Sequence, residues 1–177
     1  MTPEPRSSRS LQPVFVALLV ILGVVFVAVV LTLFVAFEPT RVSGDSMVPT
    51  LLDGDYILVT HGYHVAVRGD IVVFREVGPT GPSEVVKRVV GVPGDTVTVV
   101  EGVAKVDGGP EMPKHAIVTG GGGSFGPTTV PPGRIYVLGD DRPASYDSRF
   151  RGPIPLSSVI GRAVALYSPP ARFQILR

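Results

Sequence analysis

From Val14 to Phe37 the chain carries 24 consecutive residues without a charge, interrupted in character only by Gly23 and Thr32. As a helix this run would be roughly 36 Å long at about 1.5 Å per residue, enough to cross a bilayer core with some tilt. It is apolar on every face, and the rest of a chain this short could hardly cover it as a core helix. A cleaved secretory leader is the rival reading, but its apolar region runs about 7 to 15 residues and ends at small residues. This run is longer and ends Val35, Ala36, Phe37, Glu38, a poor cleavage context. We therefore expect a single-pass anchor at 14–37 in the cell membrane. Arg6 and Arg9 precede it, so residues 1–13 are expected on the cytoplasmic side and 38–177 outside.

The remainder suits one compact domain. Glycine (21) and proline (18) are abundant and the apolar residues are mostly valine, which favours short strands joined by tight turns. Setting aside Arg6, Arg9 and Glu4 leaves 14 basic and 14 acidic residues, so no basic surface for nucleic acid is expected. The absence of cysteine excludes disulfides, thiol catalysis and cysteine-ligated metals.

Gly-Asp pairs at Gly44, Gly54, Gly69, Gly94 and Gly139 punctuate the chain, and all but the first flank a β-branched run. The runs are 56–60, 71–75, 85–92, 96–100, 103–106, 134–138 and 159–167. Seven short strands without helical periodicity predict a mainly β fold, an antiparallel barrel or sandwich. Residues 101–133 read as a small excursion: a hairpin, then a Gly- and Pro-rich loop over 120–132, more readily a mobile connection than a substrate contact.

Ser46 sits in Ser43-Gly44-Asp45-Ser46-Met47-Val48-Pro49, nine residues past the apolar run and so within about 30 Å of the membrane surface at 3.3 to 3.6 Å per residue. Glycine before it and proline after it constrain the backbone in a way that can expose a nucleophile, although the same residues also make ordinary turns. A serine hydroxyl needs a base. His61, His64 and His115 lie in no triad-like context, and no HExxH sequence suggests a histidine zinc site. Lys87 stands in Glu84-Val85-Val86-Lys87-Arg88-Val89-Val90. On a strand, either face places a cation among valines. If Lys87 faces inward, desolvation lowers its pKa and makes it a general base; if outward, it is a snorkelling surface lysine. In the run 139–149, Ser145 or Ser148 can hydrogen-bond a neutral lysine, and Asp147 and Arg149 can fix the loop as an ion pair.

Together, SGDSMVPTL around Ser46, GDIVVF from Gly69, VVKRVVGVPGD around Lys87 and GDDRPASYDSR from Gly139 resemble the type I signal peptidases over most of residues 38–167. The resemblance implies Ser46 as nucleophile, Lys87 as general base and Ser145 as the hydroxyl that orients the lysine. It implies a mostly antiparallel β fold, an acyl-enzyme mechanism, and signal-peptide-bearing preproteins with small residues at the first and third positions before the scissile bond. No metal or organic cofactor is implied. Met47, Pro49, Arg88, Asp140, Asp147 and Arg149 match motif positions where structural roles are expected. Two residues depart from the pattern. Gly44 replaces a serine that in some members helps form the oxyanion hole, leaving the Ser46 backbone N–H as the clear donor. Asp141 replaces an asparagine and would perturb Lys87 if it pointed inward. A Ser/Lys peptidase dedicated to one precursor, or a tethered β domain that only binds a partner, would fit the same anchor and strands.

Overall fold

The computed structural model describes residues 12–78, 81–111, 117–120 and 123–176. Arg6, Arg9 and His115 lie outside the described residues. The chain divides into two units, one ending at Ala36 and one starting at Phe37.

The first unit is helix α1, Gln12–Ala36. Pro13 lies in its first turn, where a missing N–H interrupts no helical bond. Thr32 donates its hydroxyl to the Ala28 carbonyl at 2.8 Å, which satisfies the one polar side chain inside the apolar run. The helix is long and apolar enough to cross a membrane. Phe37, the last residue of the expected span, opens the first strand instead.

The second unit is built from β1 (Phe37–Arg41), β2 (Tyr56–His61), β3 (Ile71–Gly78), β4 (Gly81–Gly91), β5 (Thr96–Val100), β6 (Val103–Val106), β7 (Gly109–Pro110), β8 (Phe125–Thr129), β9 (Arg134–Leu138), β10 (Ile154–Pro155), β11 (Val159–Ser168) and β12 (Gln174–Ile175). A one-turn helix, α2 (Ser148–Arg151), lies between β9 and β10. The larger sheet runs β1-β2-β11-β3-β4-β9-β10, with β12 added to β11; the smaller runs β7-β6-β5-β8. Every pairing between these strands is antiparallel. The fold is mainly β, as the short valine-rich runs require.

Alternation along β3 explains why its run is apolar throughout. Ile71 and Val73 enter one core with Met47, Leu51 and Ile57, while Val72 and Phe74 enter another with Val89, Ile135 and Val137. A third core joins Val97, Val99 and Val106 of the smaller sheet to Val90, Tyr136 and Leu138. A strand buried on both faces has no polar face to display. Each such side chain contributes about 1.5–3 kcal/mol through removal from water.

The expected excursion over 101–133 needs correction. Its hairpin is present, but Phe125–Thr129 is a strand paired with β5, and Val130 is buried in the third core. The smaller sheet therefore belongs to the same cored structure as β4 and β9.

Candidate active site

The turn after β1 sets the position of Ser46. Val42 donates its N–H to the Asp55 carbonyl at 2.8 Å, Val48 to Asp45 at 3.0 Å and Leu51 to Met47 at 2.9 Å. Met47 and Leu51 are anchored in the first core, so Ser46 is held half-buried at its rim. Gly44 takes a positive φ of 85° that disfavours other residues, and its N–H donates to Asp53 Oδ1 at 2.9 Å. That bond commits the Gly44 N–H to Asp53 and away from a substrate oxygen. Pro49 is exposed on the outer side of the turn.

Lys87 lies in the middle of β4, opposite Val72 of β3. Its Nζ is 2.7 Å from Ser46 Oγ and donates to the Val86 carbonyl at 3.1 Å. The side chain is 4% exposed. Desolvation pushes the ammonium down to about 8, against Asp147 and Asp140, whose charges favour protonation. The inward reading of Lys87 is the one realised. Asp141 is not among the charges that act on it; its Oδ1 accepts from the Ala144 N–H at 3.2 Å.

The loop from Gly139 to Arg149 closes over the turn. Asp141 N–H donates to the Ser46 carbonyl at 3.0 Å. Asp147 Oδ2 accepts from the Gly139 N–H at 3.0 Å and from the Ser145 hydroxyl at 2.7 Å. Arg149 Nε donates to Asp147 Oδ1 at 2.9 Å, and its Nη2 reaches the Arg142 and Ser145 carbonyls at 2.6 and 2.9 Å. Asp147 also caps α2. Ser145 is thus buried within this network with its proton directed at Asp147, while the Nζ bonds go to Ser46 and Val86. Ser148 faces elsewhere: its Oγ accepts from the Val137 N–H at 3.0 Å.

Arg88, next to Lys87, grips Asp140 with two bonds of 2.8 and 2.7 Å and donates to the Gly69 carbonyl at 2.8 Å. Thr50 donates to Asp140 as well. This buried pair ties β4 to the end of β9 and to the Ser46 turn. A cleft of about 180 Å³ opens beside Ser46 and Lys87, lined also by Val42, Met47, Val73 and Val86 among others. His61 and His64 take no part: His61 lies 3.4 Å from Glu38 on the surface, and His64 is exposed.

Four contributors escape a reading of the sequence by residue type. By its Gly-Asp pair Gly139 is an ordinary turn glycine, yet a Cβ there would fall within 2.5 Å of both the Ser46 carbonyl and Ser145 Cβ. Close approach demands glycine at that position. Thr50 and Arg142 both stand inside the quoted motifs, which is the signal that could have found them. Glu111 carries no such signal.

The family model described as "Signal peptidase, peptidase S26" matches residues 14–168. A signal peptidase I from Leptolyngbya laminosa is 36% identical over 78% of this chain and 72% of its own, and one from Bacillus licheniformis is 38% identical over 71% and 74%. A solved signal peptidase I from Enterococcus faecalis V583 aligns with 57% of this chain and 98% of its own at 27% identity, with a TM-score of 0.43. Match length and identity, taken with the β fold and the apolar N-terminal helix, lead to one conclusion: the chain belongs to the signal peptidase family S26 and is a membrane-anchored serine endopeptidase of the signal peptidase I type.

Proposed function

We propose that this enzyme removes N-terminal signal peptides from exported preproteins at the outer membrane-water interface, with Ser46 as nucleophile and Lys87 as general base. The observation that carries this is the 2.7 Å separation of Lys87 Nζ and Ser46 Oγ with the amine buried and its pKa brought down to about 8. A neutral amine at that distance accepts the hydroxyl proton as Oγ attacks the scissile carbonyl. The resulting oxyanion takes the Ser46 backbone N–H. Lys87 then returns the proton to the leaving amine, leaving an acyl-enzyme. Water that loses its proton to Lys87 hydrolyses the ester and restores the hydroxyl.

The bond from Nζ to the Val86 carbonyl fixes the amine, and Ser145, whose hydroxyl donates to Asp147, is the lysine-orienting hydroxyl that the family resemblance implies. The cleft beside Ser46 and Lys87 offers room for the residues before the scissile bond, and small side chains there are what the family resemblance implies. Arg6 and Arg9 favour a cytoplasmic N-terminus, which puts the β unit on the outer side of the cell membrane. Sharing the membrane with its substrate raises their effective concentration.

The test is cleavage of a preprotein bearing an Ala-x-Ala site by purified full-length protein in detergent, with the new N-terminus identified by mass spectrometry. We expect a cut after the final alanine in wild type and none with Ser46→Ala or Lys87→Ala. Normal cutting by either folded variant would remove that residue from the mechanism.

A further inference from the structure

We infer that Arg142, held by Glu111, is a positioning residue of the reaction, through which the smaller sheet braces the loop 139–149 against the Ser46 turn. This rests on the Ser46/Lys87 reading above.

The Arg142 guanidinium is 1% exposed and binds three separate segments at once. Its Nε donates to the Gly139 carbonyl at 2.8 Å, its Nη1 to the Gly102 carbonyl at 2.7 Å, and its Nη2 to both oxygens of Glu111 at 2.7 and 2.9 Å. Gly102 belongs to the turn between β5 and β6, and Glu111 follows β7, so both come from the smaller sheet. A Cβ at Gly102 would lie 3.1 Å from Arg142 Cβ, so glycine there permits the close approach. The backbone is tied in the same direction: Val118 N–H donates to the Asp140 carbonyl at 2.9 Å, and Arg142 N–H to the Val118 carbonyl at 3.0 Å.

On its inner side Arg142 is coupled to the chemistry by short links. Its carbonyl accepts from Arg149 Nη2, which also holds the Ser145 carbonyl and Asp147. Gly139, whose carbonyl it grips, lies against the Ser46 carbonyl and Ser145. Shifting Arg142 therefore shifts the start of the loop and the Arg149-Asp147-Ser145 network together, and the start of the loop bears directly on the Ser46 carbonyl through Gly139 and the Asp141 N–H. A buried guanidinium with its fork filled is a rigid joint, and the compact ammonium of lysine cannot reach three acceptors spread around a planar fork. The smaller sheet touches the reaction through this joint and makes no use of the cleft beside Lys87.

The experiment uses full-length protein in detergent and compares wild type, Glu111→Gln, Arg142→Lys and Ser46→Ala. The readouts are kcat, KM and thermal unfolding. Glu111→Gln is expected to fold, to keep KM within about twofold and to lose about tenfold to a hundredfold in kcat, since small displacements of reacting groups act on the chemical step. Arg142→Lys is expected to lose kcat to a similar degree. Should Glu111→Gln not fold, Glu111→Asp is read in its place, with a smaller loss in kcat at unchanged KM expected. A folded Glu111 variant with wild-type kcat overturns the inference, even with a lowered Tm, and so does wild-type kcat in Arg142→Lys. Cleavage that persists in Ser46→Ala overturns the nucleophile assignment instead, a result distinguishable because it does not involve the Glu111 variants.

Discussion

Lys87 Nζ lies 2.7 Å from Ser46 Oγ although the two residues are 41 positions apart, one in the middle of β4 and the other on a turn braced by Met47 and Leu51. The amine is 4% exposed, so it meets the serine in a setting where its charged form is disfavoured. Charge retention and base strength can be separated by substitution. Lys87→Arg keeps a cation at the position, but arginine does not deprotonate in proteins. We expect cleavage to fall by about a thousandfold or more, to the level of Ser46→Ala, with the fold judged by circular dichroism.

The rate should follow the deprotonated lysine. With the amine brought down to about 8, kcat/KM is expected to reach a plateau above that pH and to fall about tenfold per unit below it. At two units below, about one amine in a hundred is neutral. A profile measured from pH 6 to 10 on the Ala-x-Ala preprotein checks this, and a flat profile across pH 7 to 9 would remove Lys87 as the base.

The same shift predicts a stability signature. The unfolded lysine holds its proton up to about 10.5, whereas the folded one releases it near 8, so between those values the unfolded state binds more protons and stability rises with pH. The full rise is on the order of 3 kcal/mol. Burial raises Tyr136 to about 12, which acts in the opposite sense above pH 10, so the window to measure is 8 to 10. Urea midpoints of Ser46→Ala should climb across it, and those of Ser46→Ala combined with Lys87→Met should lack that climb.

Gly139→Ala would force a methyl between the Ser46 carbonyl and Ser145. Overpacking of this kind costs about 1–3 kcal/mol, and displacement of the serine should lower kcat by about a hundredfold. Gly109→Ala is the control: its Cβ meets only the Val106 carbonyl at 3.6 Å. Tm and kcat for both variants test the contrast.

Asp140→Ala leaves Arg88 buried without its carboxylate. We expect a loss of about 3–5 kcal/mol in urea unfolding, because an uncompensated buried charge is costly. Glu84→Ala, which removes the partner 4.0 Å from Arg75 on the surface, should change stability by less than about 1 kcal/mol.

The strands that alternation and valine content reveal are interior ones or long hairpins: β3, β5, β9 and β11 begin where the apolar runs begin. The ones hidden in the sequence are β1, β7, β8, β10 and β12, and four of these contain proline, at Pro39, Pro110, Pro127 and Pro155. Proline argues against a strand in general, but all four lie at sheet edges, where a missing N–H breaks no ladder. Within the site, residue type and local pattern nominate Ser46 and Lys87. The direction of the Ser145 proton, the commitment of Gly44 to Asp53 and the outward turn of Asp141 depend on hydrogen-bond partners that only the folded loop supplies. The Glu111–Arg142 pair spans 31 residues and two sheets, and no local rule joins such positions.

Lys87 and Arg88 are neighbours on β4, and their assignments differ because successive residues on a strand point to opposite faces. One delivers a titratable amine to Ser46, and the other a permanent cation to Asp140. A one-residue deletion between the β3–β4 hairpin tip and Lys87 would offer the permanent cation to the serine, and a one-residue insertion would strand the amine against Asp140 and leave a valine at the serine. In a lineage of such chains, length variation should therefore accumulate in the surface connections of the smaller sheet, whereas the spacing from hairpin to lysine stays frozen even where the intervening side chains drift.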